Sequence, residues 1–145
     1  MDDAALSTRI GELLARAPWP PGAAGPWLDA LAHRHGIDPD RILWWDGAPA
    51  AQAHARYDDG TQGLARLAEL LDSARGEIQL IVSDERATPW PVWSLQAAEL
   101  VPLLGELHFF EYAVVLDGGA TLVFDTHHNM LLVSRAPSVE SSLLD

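Results

Sequence analysis

Six side chains able to hold a metal or move a proton fall close together late in the chain: His108, Glu111, Tyr112, Asp125, His127 and His128. Imidazoles and carboxylates are the usual ligands of a hydrolytic zinc centre and the usual acid–base partners of metal-free hydrolysis. Whether these six converge depends on the backbone carrying them. Residues 108–116 and 121–126 are two β-prone runs around Asp117-Gly118-Gly119-Ala120, which reads as a hairpin over a loop able to take positive φ. Closure over Gly118-Gly119 places Tyr112 opposite Asp125, Glu111 opposite Thr126, and Phe110 and Phe109 opposite His127 and His128. Side chains alternate along a strand, so Asp125 and His127 share a face with Tyr112, while His128 and Glu111 point to the other. A three-ligand zinc site would need a bend at the histidines, and no helical His-Glu-x-x-His motif supplies two ligands and a base. Asp125-Thr126-His127-His128-Asn129 reads equally as a strand end and turn, with Asp and Asn bonding nearby backbone.

Other reaction templates fail earlier. The chain has no Gly-x-Ser-x-Gly elbow, no Gly-x-x-x-x-Gly-Lys phosphate loop and no glycine-rich dinucleotide fingerprint. Asp84-Glu85, directly after a strand-like run, reads as a solvated edge more readily than as an acid and base. The absence of cysteine excludes a disulfide framework and every Cys-based metal or redox motif. The expectation is a protein without catalytic residues, metal or cofactor; the alternative is a metal-dependent or hydrolytic enzyme using Asp125, His127 and His128.

Several elements must position these residues. Leu6, Ile10, Leu13, Leu14 and Ala17 recur at helical spacing, with Asp2 or Asp3 as cap, and Pro18-Trp19-Pro20-Pro21-Gly22 breaks that helix. A second helix is expected from Pro26, carrying Trp27, Leu28, Leu31 and Ala32, and stopping at Gly36. Residues 41–45 read as a short strand and 48–60 as an irregular connection. A third helix follows with Leu64, Leu67, Leu70, Leu71 and Ala74 as its stripe, Thr61 as cap and Gly76 as stop. Residues 77–83 form an apolar β-branched strand. After Pro89-Trp90-Pro91, Ser94 is expected to cap a fourth helix through Leu95, Ala98 and Val101 towards Pro102. The hairpin and a third strand at 130–135 end the pattern. Residues 114–116 and 122–124 are apolar at successive positions, which implies that both sheet faces are covered. The expected fold class is α+β: an antiparallel or mixed sheet ending in a three-stranded meander, with helices packed on it. One domain over 1–135 and a polar tail over 136–145 complete the organisation.

A formal net charge of −12 works against binding phosphate backbones, because that affinity comes from cations displacing counterions. No stretch is long and apolar enough to span a bilayer and no basic leader opens the chain, so the expected location is cytoplasmic, with neither nucleic acid nor membrane as partner. The same negative field speeds encounter with a basic protein. Trp19 and Trp90 each sit between prolines, outside helical stripes, and tryptophan is enriched at interface anchors.

The segment Phe109-Phe110-Glu111-Tyr112-Ala113-Val114-Val115, through Leu122-Val123-Phe124-Asp125-Thr126-His127-His128-Asn129-Met130-Leu131, resembles the C-terminal hairpin of a family of small, uncharacterised bacterial proteins. Those look like cognate immunity proteins for secreted toxins. The resemblance is confined to this C-terminal part and brings no catalytic residues with it. It implies an immunity protein for a toxin, and with the net charge and the proline-flanked tryptophans the expectation is a cytoplasmic binding protein that blocks a basic toxin through an acidic, Trp-bearing surface. The acids expected in that surface, from their place in the connections, are Asp46, Asp58, Asp59, Asp84 and Glu85, with Trp90 as the anchor. A small-molecule sensor or an intracellular adaptor is a further alternative.

Overall fold

The computed structural model describes residues 3–38, 51–56, 58–72, 76–82, 89–107, 110, 112–126 and 130–136. These form helices α1 (Asp3–Leu14), α2 (Pro21–Arg34), α3 (Gly60–Leu71) and α4 (Ala97–Gly105). The strands are β1 (Ala51–Arg56), β2 (Glu77–Ile81), β3 (Val92–Gln96), β4 (Tyr112–Leu116), β5 (Thr121–Thr126) and β6 (Met130–Arg135). The strands make one sheet in the order β1-β6-β5-β4-β2-β3, and every pairing in it is antiparallel. The fold is α+β, with β4, β5 and β6 as the expected meander.

The hairpin register agrees with closure over the two glycines: Tyr112 pairs with Asp125, Val114 with Val123, and Leu116 with Thr121. Alternation then sorts side chains onto two faces. On one, Ile78, Leu80, Trp93, Leu95, Val114, Val123, Leu131 and Val133 pack against Ile10 and Leu14 of α1, Leu67 and Leu71 of α3, and Leu100, Leu103 and Leu104 of α4. On the other, Ile81, Val92, Ala113, Val115, Leu122 and Phe124 pack against Ala24, Leu28, Leu31 and Ala32 of α2. β4 is buried at all of its positions. Its unbroken apolar run is what a strand covered on both sides requires.

Four expectations are corrected. Within the connection expected at 48–60, Ala51–Arg56 is an edge strand on β6, bulged between Ala53 and Ala55. Its alanine-rich composition has low β propensity, and pairing with β6 overrides it. The second helix begins five residues early, at Pro21. Pro26 lies inside it on the solvent side, with Gly22 also exposed, so water can satisfy the carbonyl that loses a donor. The segment around Ser94 is strand: Val92, Trp93 and Leu95 are buried in the ladder with β2, and α4 starts only at Ala97, where Glu99 Oε1 accepts the Gln96 N–H at 2.9 Å. The α3 cap is Asp59, whose Oδ1 accepts the Gln62 N–H at 3.0 Å. Residues 41–45, expected as a strand, lie outside the described residues.

The outer edge of β3 is closed by the chain between α1 and α2. Trp19 N–H donates to Val92 O at 2.8 Å and Arg16 Nη1 to Ser94 O at 2.8 Å, which occupies two of the carbonyls facing away from β2. Arg16 is fixed there by a two-pronged pair with Glu99, at 3.3 and 2.9 Å. The turn that aims Arg16 is a Schellman motif, with Ala15 N–H on Glu12 O and Arg16 N–H on Gly11 O. Its left-handed position is occupied by Ala15 at φ 54°, whereas the matching motif ending α2 has Gly36 at φ 70°. A Cβ in that region costs about 1–2 kcal/mol, of which the extra freedom of glycine in the unfolded chain cancels about 0.4–1. Ala15→Gly should therefore raise the stability read from urea unfolding by up to about 1 kcal/mol; a loss would show that the motif is not formed in solution.

Candidate binding surface

Trp19, Trp27 and Trp90 all lie on the α2 side of the sheet, each half-buried against the smaller core. Trp19 lies in the link between α1 and α2, its indole N–H donating to Ser94 Oγ at 3.0 Å and its backbone held on β3. Its ring meets that of Trp27 edge-on, with centroids 4.9 Å apart and planes at 69°, the arrangement that places the positive rim of one ring on the negative face of the other. Trp90 enters between Pro89 and Pro91, and the Pro91 carbonyl accepts Val82 N–H at 3.0 Å. Pro89 lies over α2 at Gly25, where a Cβ would stand 4.0 Å from its ring. Prolines on both sides of Trp19 and Trp90 fix φ, so these indoles lose little backbone entropy when something covers them. Trp93 is different: it is fully buried on the opposite face, its N–H reaching Arg16 O at 3.4 Å.

Of the acids selected from sequence, Asp58 and Asp59 are among the described residues. Asp58 and Asp59 are exposed and follow β1, at the sheet edge opposite β3; five interstrand spacings separate the two edges, roughly 24 Å. Asp59 is also committed to capping α3, while Gln62 Oε1 accepts Asp58 N–H at 2.8 Å. Asp46, Asp84 and Glu85 lie outside the described residues. On α2 itself the exposed acid is Asp29, two residues beyond Trp27.

Of the cluster that suggested metal or acid–base chemistry, the structure joins Tyr112 and Asp125. The phenol donates to Asp125 Oδ2 at 2.6 Å, with the two residues 4% and 6% exposed. Phe110 stacks obliquely on Tyr112 at 5.3 Å between centroids. The bond lies at the short end of the O–H···O range. It gives Asp125 a structural task within the larger core. Among the described residues no group of three His, Asp or Glu could hold a metal ion. His108, Glu111, His127 and His128 lie outside those residues.

Sequence reasoning missed a second polar node, on the α2 side. His35, at the end of α2, is 3% exposed, with Nδ1 2.8 Å from Ser134 Oγ on β6 and Nε2 2.8 Å from Gly119 O in the β4–β5 turn. A carbonyl only accepts, so Nε2 carries the proton and Nδ1 accepts from the Ser134 hydroxyl. This is the hydrogen-bond pattern of a serine–histidine pair, but Ser134 is fully buried, which leaves no approach for a substrate. Burial lowers the His35 pKa; the Gly119 hydrogen bond works against this and the neighbouring Arg34 charge adds to it. Arg34 Nη1 reaches Gly118 O at 3.1 Å, and a Cβ on Gly119, at φ 103°, would lie 3.0 Å from the same nitrogen. The one local signal was a histidine directly before a helix-stopping glycine. Its partners lie 84 and 99 residues away, beyond any local pattern.

No family model, curated protein or solved structure matches this chain. Among the described residues no helix is long and apolar enough to cross a membrane.

Tyr112→Phe removes the hydroxyl and keeps the ring, so it isolates the Asp125 bond. Leaving a buried hydrogen-bond partner unsatisfied costs about 1–3 kcal/mol, and unfolding in urea should show a loss of that size. A loss below about 0.5 kcal/mol would show that the pair carries no stability.

Proposed function

We propose that this chain is a protein-binding module, most concretely an immunity-type protein that neutralises a basic toxin in the cytoplasm. The observation that carries the reading is that Trp19, Trp27 and Trp90 are all left half-exposed over the smaller core on the α2 side of the sheet, Trp19 in ring contact with Trp27, and Trp19 and Trp90 each held between prolines. Interfaces are anchored by a few well-packed aromatic residues that were already ordered before the partner arrived, and these indoles have those properties. The net charge of −12 supports a basic partner. With Asp58 and Asp59 at the far edge from Trp90, the charge acts as a long-range field that steers approach, while the indoles hold the docked complex. The resemblance of the hairpin to immunity proteins supports the toxin as the partner class. A hydrolytic reading draws no support from Asp125, whose carboxylate is buried and held by Tyr112.

The test takes as partner the product of a toxin-like gene beside this one and follows the kinetics of binding. Raising ionic strength from about 0.1 to about 1 M shortens the screening length from about 10 to about 3 Å, and association should slow by at least about tenfold. Trp90→Ala should speed dissociation by about 30-fold, the effect of losing an anchor worth about 2 kcal/mol, with Trp90→Phe intermediate. An acidic partner, or association indifferent to salt, removes the electrostatic half. A Trp90→Ala variant that folds and dissociates at the wild-type rate removes the aromatic half.

A further inference from the structure

We propose that His35 is a proton-operated latch that holds α2 on the sheet, so that acidification releases the α2 layer while the rest of the fold stays intact. The inference does not depend on the partner reading. Its first support is placement. The sheet divides the interior into two apolar clusters with no shared residue, and α2 supplies the helical part of the smaller one, whereas α1, α3 and α4 all pack into the larger. A layer with its own contacts can open by itself, as a sub-global unit. At the N-terminal side α2 is tied down through Trp19 on Val92 and Ser94. At the C-terminal side the ties are His35, on Ser134 and Gly119, and Arg34 on Gly118.

The second support is the chemistry of that C-terminal tie. In the closed state the imidazole is neutral, donating from Nε2 and accepting at Nδ1. Protonation puts a donor on both nitrogens. The Ser134 hydroxyl, fully buried, must then turn round to accept, and a cation is sealed in beside Arg34. Among the described residues, the charge that acts on His35 is that of Arg34, which opposes protonation. His33 on α2 is exposed, and so is Asp38 beyond the helix. Asp117 in the turn is exposed and accepts from Thr121 Oγ1 at 3.0 Å. Arg135, next to Ser134, is exposed, and strand alternation turns it to the opposite face. Once α2 lifts, the imidazolium reaches water and the penalty vanishes. The open form thus binds the proton more tightly, so the latch holds fully above the ordinary histidine pKa of 6.5 and weakens as pH falls below it. One proton taken up on opening raises the opening equilibrium by up to about tenfold per pH unit.

Amide hydrogen exchange on the whole chain reads this directly, with intrinsic rates corrected at each pH. Between pH of about 7.5 and about 5.5, protection of the α2 amides from Trp27 to Arg34 should drop by up to about tenfold, while β4 and β5 hold theirs. In His35→Gln, which cannot be protonated, α2 protection should no longer depend on pH. His33→Gln, beside it on the exposed face, should leave the dependence unchanged. Protection of α2 that tracks β4 and β5 at every pH overturns the latch, and so does a His35→Gln chain that keeps the wild-type dependence. If that variant does not fold, nitrogen-detected histidine titration of the wild type decides. A His35 ring that stays in the Nε2–H form below pH 6.5 supports the latch, and one that titrates at or above 6.5 overturns it.

Discussion

A strand buried at every position, as β4 is from Tyr112 to Leu116, can exist only where each backbone N–H and C=O finds a partner strand and each face finds a cover. β2 and β5 supply the partners. Three helices on one face and α2 on the other supply the cover, and this division fixes the rest of the architecture. Polar residues on these inner strands must be paired where they stand. Asp125 is met by Tyr112 directly across the hairpin, and Ser134 by His35 from above the sheet. Both pairs follow from the same demand, that buried polar groups find hydrogen bonds.

The edges of the sheet are managed differently. β1 is interrupted by a bulge, and the outward carbonyls of β3 are taken by Trp19 and Arg16. Closing the β3 edge has a second effect, because the segment that does it also delivers Trp19 to the α2 face. The Pro89-Trp90-Pro91 connection enters β3 from the same region. Edge protection and the Trp19–Trp27 contact therefore come from one segment. Three large rings stay half-exposed over the smaller core.

The acidic character and the half-exposed tryptophans act over different ranges. Charges spread over the whole surface sum into a field felt beyond contact distance, so the separation of Asp58 and Asp59 from Trp90 does not weaken steering. Rings act only at contact and depend on shape. α2 carries Trp27 near its middle and His35 at its end, so the polar node at one end of the helix and the Trp19–Trp27 contact nearer the other are mechanically joined.

What the sequence determined by itself was local or periodic. The hairpin register, including Tyr112 against Asp125, was legible because two glycines leave one closure and alternation does the rest. Continuous apolar runs announced a sheet covered on both faces, and the helical stripes of α1 and α3 were visible as spacing. Tertiary structure decided whatever depends on partners distant in the chain. The alanine-rich β1 is a strand only because β6 lies beside it, and Leu95 is strand and not helix only because β2 pairs with it. His35 became a buried node through contacts 84 and 99 residues away, and Trp19, Trp27 and Trp90 came to lie over one core through the packing of α2 and the closing of an edge. Local propensity is worth tenths of a kcal/mol per residue, whereas burial of a large side chain is worth about 1.5–3. Where the two disagree, the packing that no local window of sequence contains decides the outcome.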